Sequence, residues 1–402
     1  MSSAADKPAR PKSILQAHMK RPREAEPPHI GLIRWLRSRG ADLDGLEIRE
    51  SPGGGLGVFA TRPFEPGAAI GLLPSAAIID PVAVLHSDDV ARAALAQGGS
   101  EPFAFWLALA SMAQQESCGH REYLAALPRE APDPTGWPAA QRQLLAGTPL
   151  AAQVEAQRRL LADEFARVAP TAAPRVPFDV DGAALFPSFL WARGVHMSRC
   201  FPRALVDAAA LPLPHEVLAS STVDAPLRVE LAGTLGCLLP LYDMMEHRFA
   251  VAPGEALHNN YGPKGNGELL FTYGFASAEN PLDSVEGIVV GCRKGSGRAA
   301  DELHAARLQC LAEHGVIGMD DPLAGPCLSL DELDLLRASL EARLRSLPSS
   351  EAADAAEAAQ FSREGYCAAY RAGQRRVLRA ALAEVAVLEG ILVVMCDLTA
   401  DA

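Results

Sequence analysis

The chain has 402 residues, 49% of them apolar and 21% charged, and carries a net charge of −12. That length asks for two or three domains, and the apolar share supplies a sizeable core. The acidity argues against a nucleic-acid binder, whose affinity rests on neutralising phosphates, but it does not exclude a basic partner such as a protein segment offering lysines.

Residues 1–29, rich in Pro, Ala and charge, read as a disordered tail. Its "KRPRE" run is either a solvated basic segment or an address, so the expected compartment is the cytoplasm or nucleus, with the chloroplast as the organellar alternative. "IGLIRWLRSRG" follows as a short helix, with Ile30, Ile33 and Leu36 on one side and Gly40 as its stop. "LEIRES" and "GVFATR" read as strands around the glycine cluster 53–57, and "AAIGLLPSAAII" as a third. From about 101 to 200 the period is helical: "FAFWLALASMAQQ" is a buried helix, and "AAQVEAQRRLLADEFARV" is amphipathic through Val154, Leu161, Phe165 and Val168. "APTAAPRVP" (169–177) is a Pro-rich connector, and 235–295 returns to short strand-like pieces.

After 298 the pattern is helical throughout. Ser329 and Glu332 form a capping box ahead of Leu333, Leu336, Leu340 and Leu344. "SSEAADAAEAAQ" (349–360) reads as low-complexity and solvated. The terminal helix carries Val377, Leu378, Ala381, Leu382, Val385 and Leu388 on one side. Eight isolated cysteines form no CxxC pair and fit a reducing compartment. The longest apolar runs, 231–241 and 385–395, are too short to cross a bilayer, so a soluble, monomeric protein without a membrane partner is expected.

Four stretches carry candidate chemistry. "GGGLGVFAT" contains Gly55, Leu56 and Gly57 in a formal G-x-G-x-x-A pattern. A dinucleotide site would need a helix to open there, and Pro63 and Pro66 forbid one. "LWARGVHMSRCF" places Arg199 between apolar Met197 and Phe201, where a buried guanidinium needs an anion, either a core partner or a ligand carboxylate. "LLPLYDMMEHRF" sets Asp243, Glu246 and His247 after an apolar strand; with no second His or Cys cluster, a metal site is ranked below a structural or cofactor-contacting role. "HNNYGPKGNGELLFTYGF" builds two Tyr-Gly pairs, Tyr261-Gly262 and Tyr273-Gly274, within thirteen residues.

In this order the pieces "GLGVFATRPFEPGAAI", "WARGVHMSRCF", "PLYDMMEHR" and "NNYGPKGNGELLFTYGF" with "NPLDSV" resemble the SET-domain protein methyltransferases. The nearer likeness is to the branch typified by the Rubisco large-subunit lysine methyltransferase. "REYLAALP", "WPAAQRQLLAGTPL" and "YRAGQRRVL" are similar to that branch's insert and C-terminal signatures, and the likeness covers roughly residues 30 to 395. It implies an α+β protein: an interrupted β-rich SET fold (30–100 and 198–297) with a helical insert (101–197) and an appended all-α C-terminal domain (298–402). That domain would form a separate lobe gripping the protein substrate.

The resemblance also implies roles. The backbone at Gly55, Leu56 and Gly57 would hold S-adenosylmethionine, Arg199 would lie near its carboxylate, and Asp243, Glu246 and His247 would form the cofactor-contacting turn. Tyr273 would be catalytic, with Tyr261 lining the target channel. The implied activity is lysine N-methylation of a non-histone protein, with histidine as an alternative target. The chain departs from the family's pattern twice: Glu246 stands where an Asn usually precedes the His, and only residues 248–260 separate His247 from Tyr261, where the family has further strands. These departures keep a second reading open, an inactive SET-like module that binds protein; a dinucleotide oxidoreductase is a distant third.

Overall fold

The computed structural model describes residues 27–51, 55–65, 69–172, 182–206, 235–247, 258–259, 261–285 and 330–400. Residues 1–26 of the expected tail and all of 286–329, with the capping serine Ser329, therefore lie outside the described residues, whereas Pro28 and His29 at the tail's end are helical.

Helix α1 (Pro28–Ser38) begins at a proline, whose fixed φ suits a first turn. Its buried side is Leu32, Trp35 and Leu36, while Ile30 is exposed, so the apolar stripe is rotated from the one the sequence offered. Strands β1 (Leu46–Glu50) and β2 (Leu56–Ala60) pair antiparallel, with Glu50 opposite Leu56. Gly55 and Gly57 thus sit at the end of a hairpin, and no helix opens after Gly57 among the described residues. The third expected strand is absent as such. Residues 69–80 make single bridges, Asp42 with Leu72 and Ile79 with Leu238, on either side of a 3-10 turn at Ser75–Ala77.

The run of helices begins at Pro81, ahead of the insert expected from residue 101. Helices α2 (Pro81–Ser87) and α3 (Asp89–Ala96) are capped by Asp80 and Asp88, whose carboxylates accept from the first free backbone N–H groups. Helix α4 (Glu101–Met112) is apolar on every side and buried from Phe103 to Ser111. Short helices α5 (Arg121–Ala126) and α6 (Ala139–Arg142) precede α7 (Pro149–Ala172), which runs through Pro170 into the sequence read as a connector. Helix α8 (Gly182–Arg199) then delivers Arg199 to strand β3 (Cys200–Phe201), which pairs antiparallel with β4 (Cys237–Leu238). Strands β5 (Glu246–His247) and β6 (His258–Asn259) pair in parallel. The apolar run between the Tyr-Gly pairs is helix α9 (Asn266–Tyr273), not a strand: Asn266, Leu269 and Leu270 share one buried face.

Three helices complete the chain: α10 (Leu330–Ser346), α11 (Glu351–Glu357) and α12 (Arg363–Ala400). Most of 349–360 is exposed, as expected from the sequence, but the segment is pinned at one buried residue. Asp354 is fully buried, bound by Arg371 at 2.9 Å and also by Arg375, and Arg371 donates to the Leu144 carbonyl at 2.7 Å. A buried carboxylate needs such partners, and poly-Ala composition does not advertise them. The architecture is α+β, with short sheets held among helices.

The three larger apolar clusters among the described residues fix the layout. The largest joins α1, the β1–β2 hairpin, α2 to α5, α8 and the turn around Leu241–Met245. A second joins insert residues Trp137, Leu145, Leu150 and Val154 to Leu270 and Ala276, and to Cys367, Ala369 and Tyr370 of α12. A third packs Leu333 and Leu340 of α10 against Leu378, Val385 and Leu388. The last helix therefore serves two bodies: its first half closes the insert and α9, and its second half packs with α10. No described helix is long and apolar enough to cross a membrane.

Candidate active site

Helix α9 ends because Gly274 adopts φ 80°, and its N–H returns to the carbonyls of Leu269 and Leu270. The same glycine lies directly against the Pro132 carbonyl, so it serves both the cap and a close approach to the insert. At the other end, buried Asn266 ties the stretch together. Its Nδ2 donates to the Ser277 carbonyl at 2.8 Å and to Asp283 at 3.1 Å, while its Oδ1 accepts from the Ser277 N–H at 2.8 Å. Asn280 donates to the Lys264 carbonyl at 2.9 Å. The two Tyr-Gly pairs are thus the ends of one short helix whose flanks are cross-linked.

That frame brings the tyrosines together. The rings of Tyr261 and Tyr273 stack at 4.6 Å between centroids and 6° between planes. Phe275 sits 6.2 Å from one and 6.3 Å from the other, and Tyr366 of α12 meets Phe275 edge-on at 6.5 Å. A methylene chain between two rings needs about 7 Å, two contact distances, so the stacked pair leaves no room for one between its faces. Burial raises the Tyr273 hydroxyl pKa, helped by nearby Cys200 and Glu268, so it stays a neutral phenol. Lys264, ion-paired with Glu268, lies 5.9 Å from the Tyr273 ring centroid.

The second half of the site gathers around Asp243. Arg199 Nη1 donates to the Asp243 carbonyl at 2.8 Å and approaches its carboxylate at 3.4 Å. Two residues chosen separately from the sequence are therefore each other's partners. Burial raises the Asp243 pKa, and Arg199 and a hydrogen bond from Tyr123 pull it back. Asp243 Oδ1 and Arg199 Nε are buried with no hydrogen-bond partner among the described residues. Buried polar atoms of that kind mark a place where a polar ligand can bind. Strand β2 packs on the Tyr242–Met244 turn, and α9 packs on α8, so the glycine hairpin, the Arg199–Asp243 pair and the tyrosines share one region. Cys200, next to Arg199, lies near enough to Tyr273 and Tyr123 to raise both hydroxyls.

Gly55, at φ 74°, turns the hairpin into β2, and its carbonyl accepts from the Ser51 N–H at 3.0 Å. A Cβ on Gly57 would crowd the Phe59 ring at 3.1 Å, so glycine leaves the backbone uncovered at that one position. The backbone of Glu246 pairs with His258 and that of His247 with Asn259. The side chains of Glu246 and His247, and residues 248–257, lie outside the described set.

Sequence reasoning passed over Tyr123, Phe275, Asn266 and Asp283. Tyr123 looks like any core aromatic in an amphipathic segment, and its partner is 120 positions away. The Asn and Asp are polar residues inside a motif read for its tyrosines.

No family model matches the chain. Among curated proteins, it is 31% identical over 124 residues to ribosomal lysine N-methyltransferase set10 of Schizosaccharomyces pombe. It is 28% identical over 119 residues to ribosomal lysine N-methyltransferase 1 of Saccharomyces cerevisiae. Each alignment spans 25% of this chain, and 18% and 17% of those proteins respectively. Among solved structures, the SET domain of LSMT bound to lysine and AdoHcy superposes with a TM-score of 0.64 at 16% identity, over 92% of this chain and 93% of that one. Rubisco LSMT bound to AdoMet gives a TM-score of 0.62 at 16% identity, over 91% and 93%.

Proposed function

From a chain that carries the SET-domain fold of the LSMT structures, we propose a protein-lysine N-methyltransferase that uses S-adenosylmethionine. The observation that carries this reading is the stacked Tyr261–Tyr273 pair set in one region with the Arg199–Asp243 pair and its two unpartnered polar atoms. Those atoms fit a ligand whose amino-acid end offers both an ammonium donor and a carboxylate acceptor. Arg199 and Asp243 would hold that end, with the backbone at Gly55, Leu56 and Gly57 and the strand carrying Glu246 and His247 around it. S-adenosylmethionine supplies, when bound, a methyl carbon made electrophilic by its sulfonium.

The chain's own task is positioning and water exclusion. Tyr261, Tyr273 and Phe275 form an aromatic wall beside which an incoming amine is desolvated, and desolvation favours its neutral, nucleophilic form. The Tyr273 hydroxyl, held as a phenol by burial, can donate to one acceptor and accept from the amine N–H, orienting its lone pair.

The target we infer is a lysine in a basic protein, which the net charge of −12 would attract. A ribosomal protein fits both that charge and the names of the two partial relatives. Calorimetry with S-adenosylmethionine, followed by transfer of labelled methyl to a ribosomal protein fraction, tests the reading. Micromolar binding and label in hydrolysed lysine are expected. Absence of cofactor binding would instead favour a protein-binding module, the reading that Glu246 keeps open by placing a carboxylate where the family has an amide.

A further inference from the structure

The buried turn that holds Asp243 is strained. Leu241, with φ 79° and ψ −52°, is the one non-glycine residue at positive φ among the described residues, and it stands just before the Tyr242–Met244 3-10 turn. Such a conformation persists only where surrounding contacts over-determine it. Two side chains grip Asp243 within it. Arg199, at the end of α8, takes the Asp243 carbonyl and carboxylate. Tyr123, on α5 of the helical insert, donates its hydroxyl to Asp243 Oδ2 at 2.8 Å and is itself fully buried.

The geometry points to Tyr123 as a positioning residue for the cofactor site: a latch by which the helical insert holds the strained Asp243 turn, and with it Arg199, in the binding arrangement. This rests on the function proposed above and adds a residue to it. Tyr123 and Arg199 converge on the same carboxylate oxygen. Oδ1, the other oxygen, is left buried without a described partner. The hydroxyl thus fixes which oxygen faces Arg199 and which remains for a ligand. Without that donor the carboxylate is free to rotate, and the Asp243 side chain keeps only its link to Arg199. Burial and the Asp243 carboxylate both raise the Tyr123 pKa well above 10, so the group donates throughout the physiological range.

Tyr123→Phe removes one hydrogen bond to a charged group and keeps the ring. S-adenosylmethionine binding, read by calorimetry, should weaken roughly tenfold, the scale of such a bond. Trp191→Phe is the control. Trp191 Nε1 donates to the Pro128 carbonyl at 2.7 Å, so its loss removes an insert hydrogen bond away from Asp243. It should lower the melting temperature with little change in cofactor affinity. If Tyr123 acts through Asp243, Tyr123→Phe combined with Asp243→Asn should bind no more weakly than Asp243→Asn alone. Unchanged affinity in Tyr123→Phe, an equal loss in Trp191→Phe, or additive losses in the double variant would each overturn the latch while leaving the methyltransferase reading intact. A wild-type chain that binds no S-adenosylmethionine would overturn both.

Discussion

The Tyr273 hydroxyl is the group on which the proposed chemistry turns, and its surroundings say how to remove it cleanly. Its ring is held by stacking on Tyr261 and by Phe275, so Tyr273→Phe keeps the packing and loses only the oxygen. Methyl transfer should slow by about 10²-fold, the range for a positioned polar group, with cofactor affinity nearly unchanged; single-turnover rates beside calorimetry check both. A second residue sets acid sensitivity. His196 is buried between Trp106 Nε1, which donates to its Nδ1 at 3.0 Å, and the Gly236 carbonyl, 2.8 Å from Nε2. That assigns the proton to Nε2, and a second proton on Nδ1 would face the indole N–H. Burial foremost, with Arg193 contributing, lowers its pKa from 6.5 to about 4. The unfolded chain therefore takes up this proton first as pH falls below 6.5, and stability contributed by the neutral ring is lost between 6.5 and about 4. The loss is roughly 3 kcal/mol, and His196→Gln should flatten that part of a plot of melting temperature against pH. Sequence showed Arg199 and Asp243 as separate candidates, but their pairing and Tyr123's share in it depend on contacts 44 and 120 positions apart.

At the scale of elements, the legible parts were those whose signal is local. The β1–β2 hairpin, the apolar helix α4 and the Val154–Leu161–Val168 face of α7 all follow from period and glycine placement. Helix α9 was hidden because its apolar run is short, and periodicity alone cannot separate a short buried helix from a strand. Gly274 is the element's decisive residue: a side chain there meets left-handed strain, about 1–2 kcal/mol, and the Pro132 carbonyl together. Gly274→Ala should cost at least about 2 kcal/mol and displace Tyr273, which immediately precedes it. Denaturant unfolding would read the first effect. The second would appear as a fall in methyl transfer larger than the change in folded fraction explains. Helix α11 was hidden for a different reason. Its alanines look solvated, and Asp354 acquires its burial from Arg371 and Arg375, which stand 17 and 21 positions on.

For the whole molecule, the sequence places a domain boundary at 298, where the period becomes helical, and on that view a chain ending near residue 300 would still bind cofactor. The packing leads to another outcome. Cys367, Ala369 and Tyr370 of α12 share one apolar cluster with Trp137, Leu145, Leu150 and Val154 of the insert and with Leu270 of α9. Arg363 donates to the Ala131 carbonyl at 2.9 Å, and Arg376 to Asp283, the same carboxylate that holds Asn266. Ending the chain near 300 would uncover that cluster and release Asp283 from Arg376, so the frame of the Tyr-Gly stretch would loosen along with the lost lobe. Exposing buried apolar side chains costs about 1.5–3 kcal/mol each, and several together exceed the margin of an ordinary domain. Residues 1–300 alone should therefore melt without a cooperative transition and fail to bind S-adenosylmethionine by calorimetry. Supplying residues 330–402 as a separate chain should restore part of that binding, because the contacts are noncovalent. Cooperative melting and full cofactor affinity in residues 1–300 would show instead that α12 only covers the site and does not help to build it.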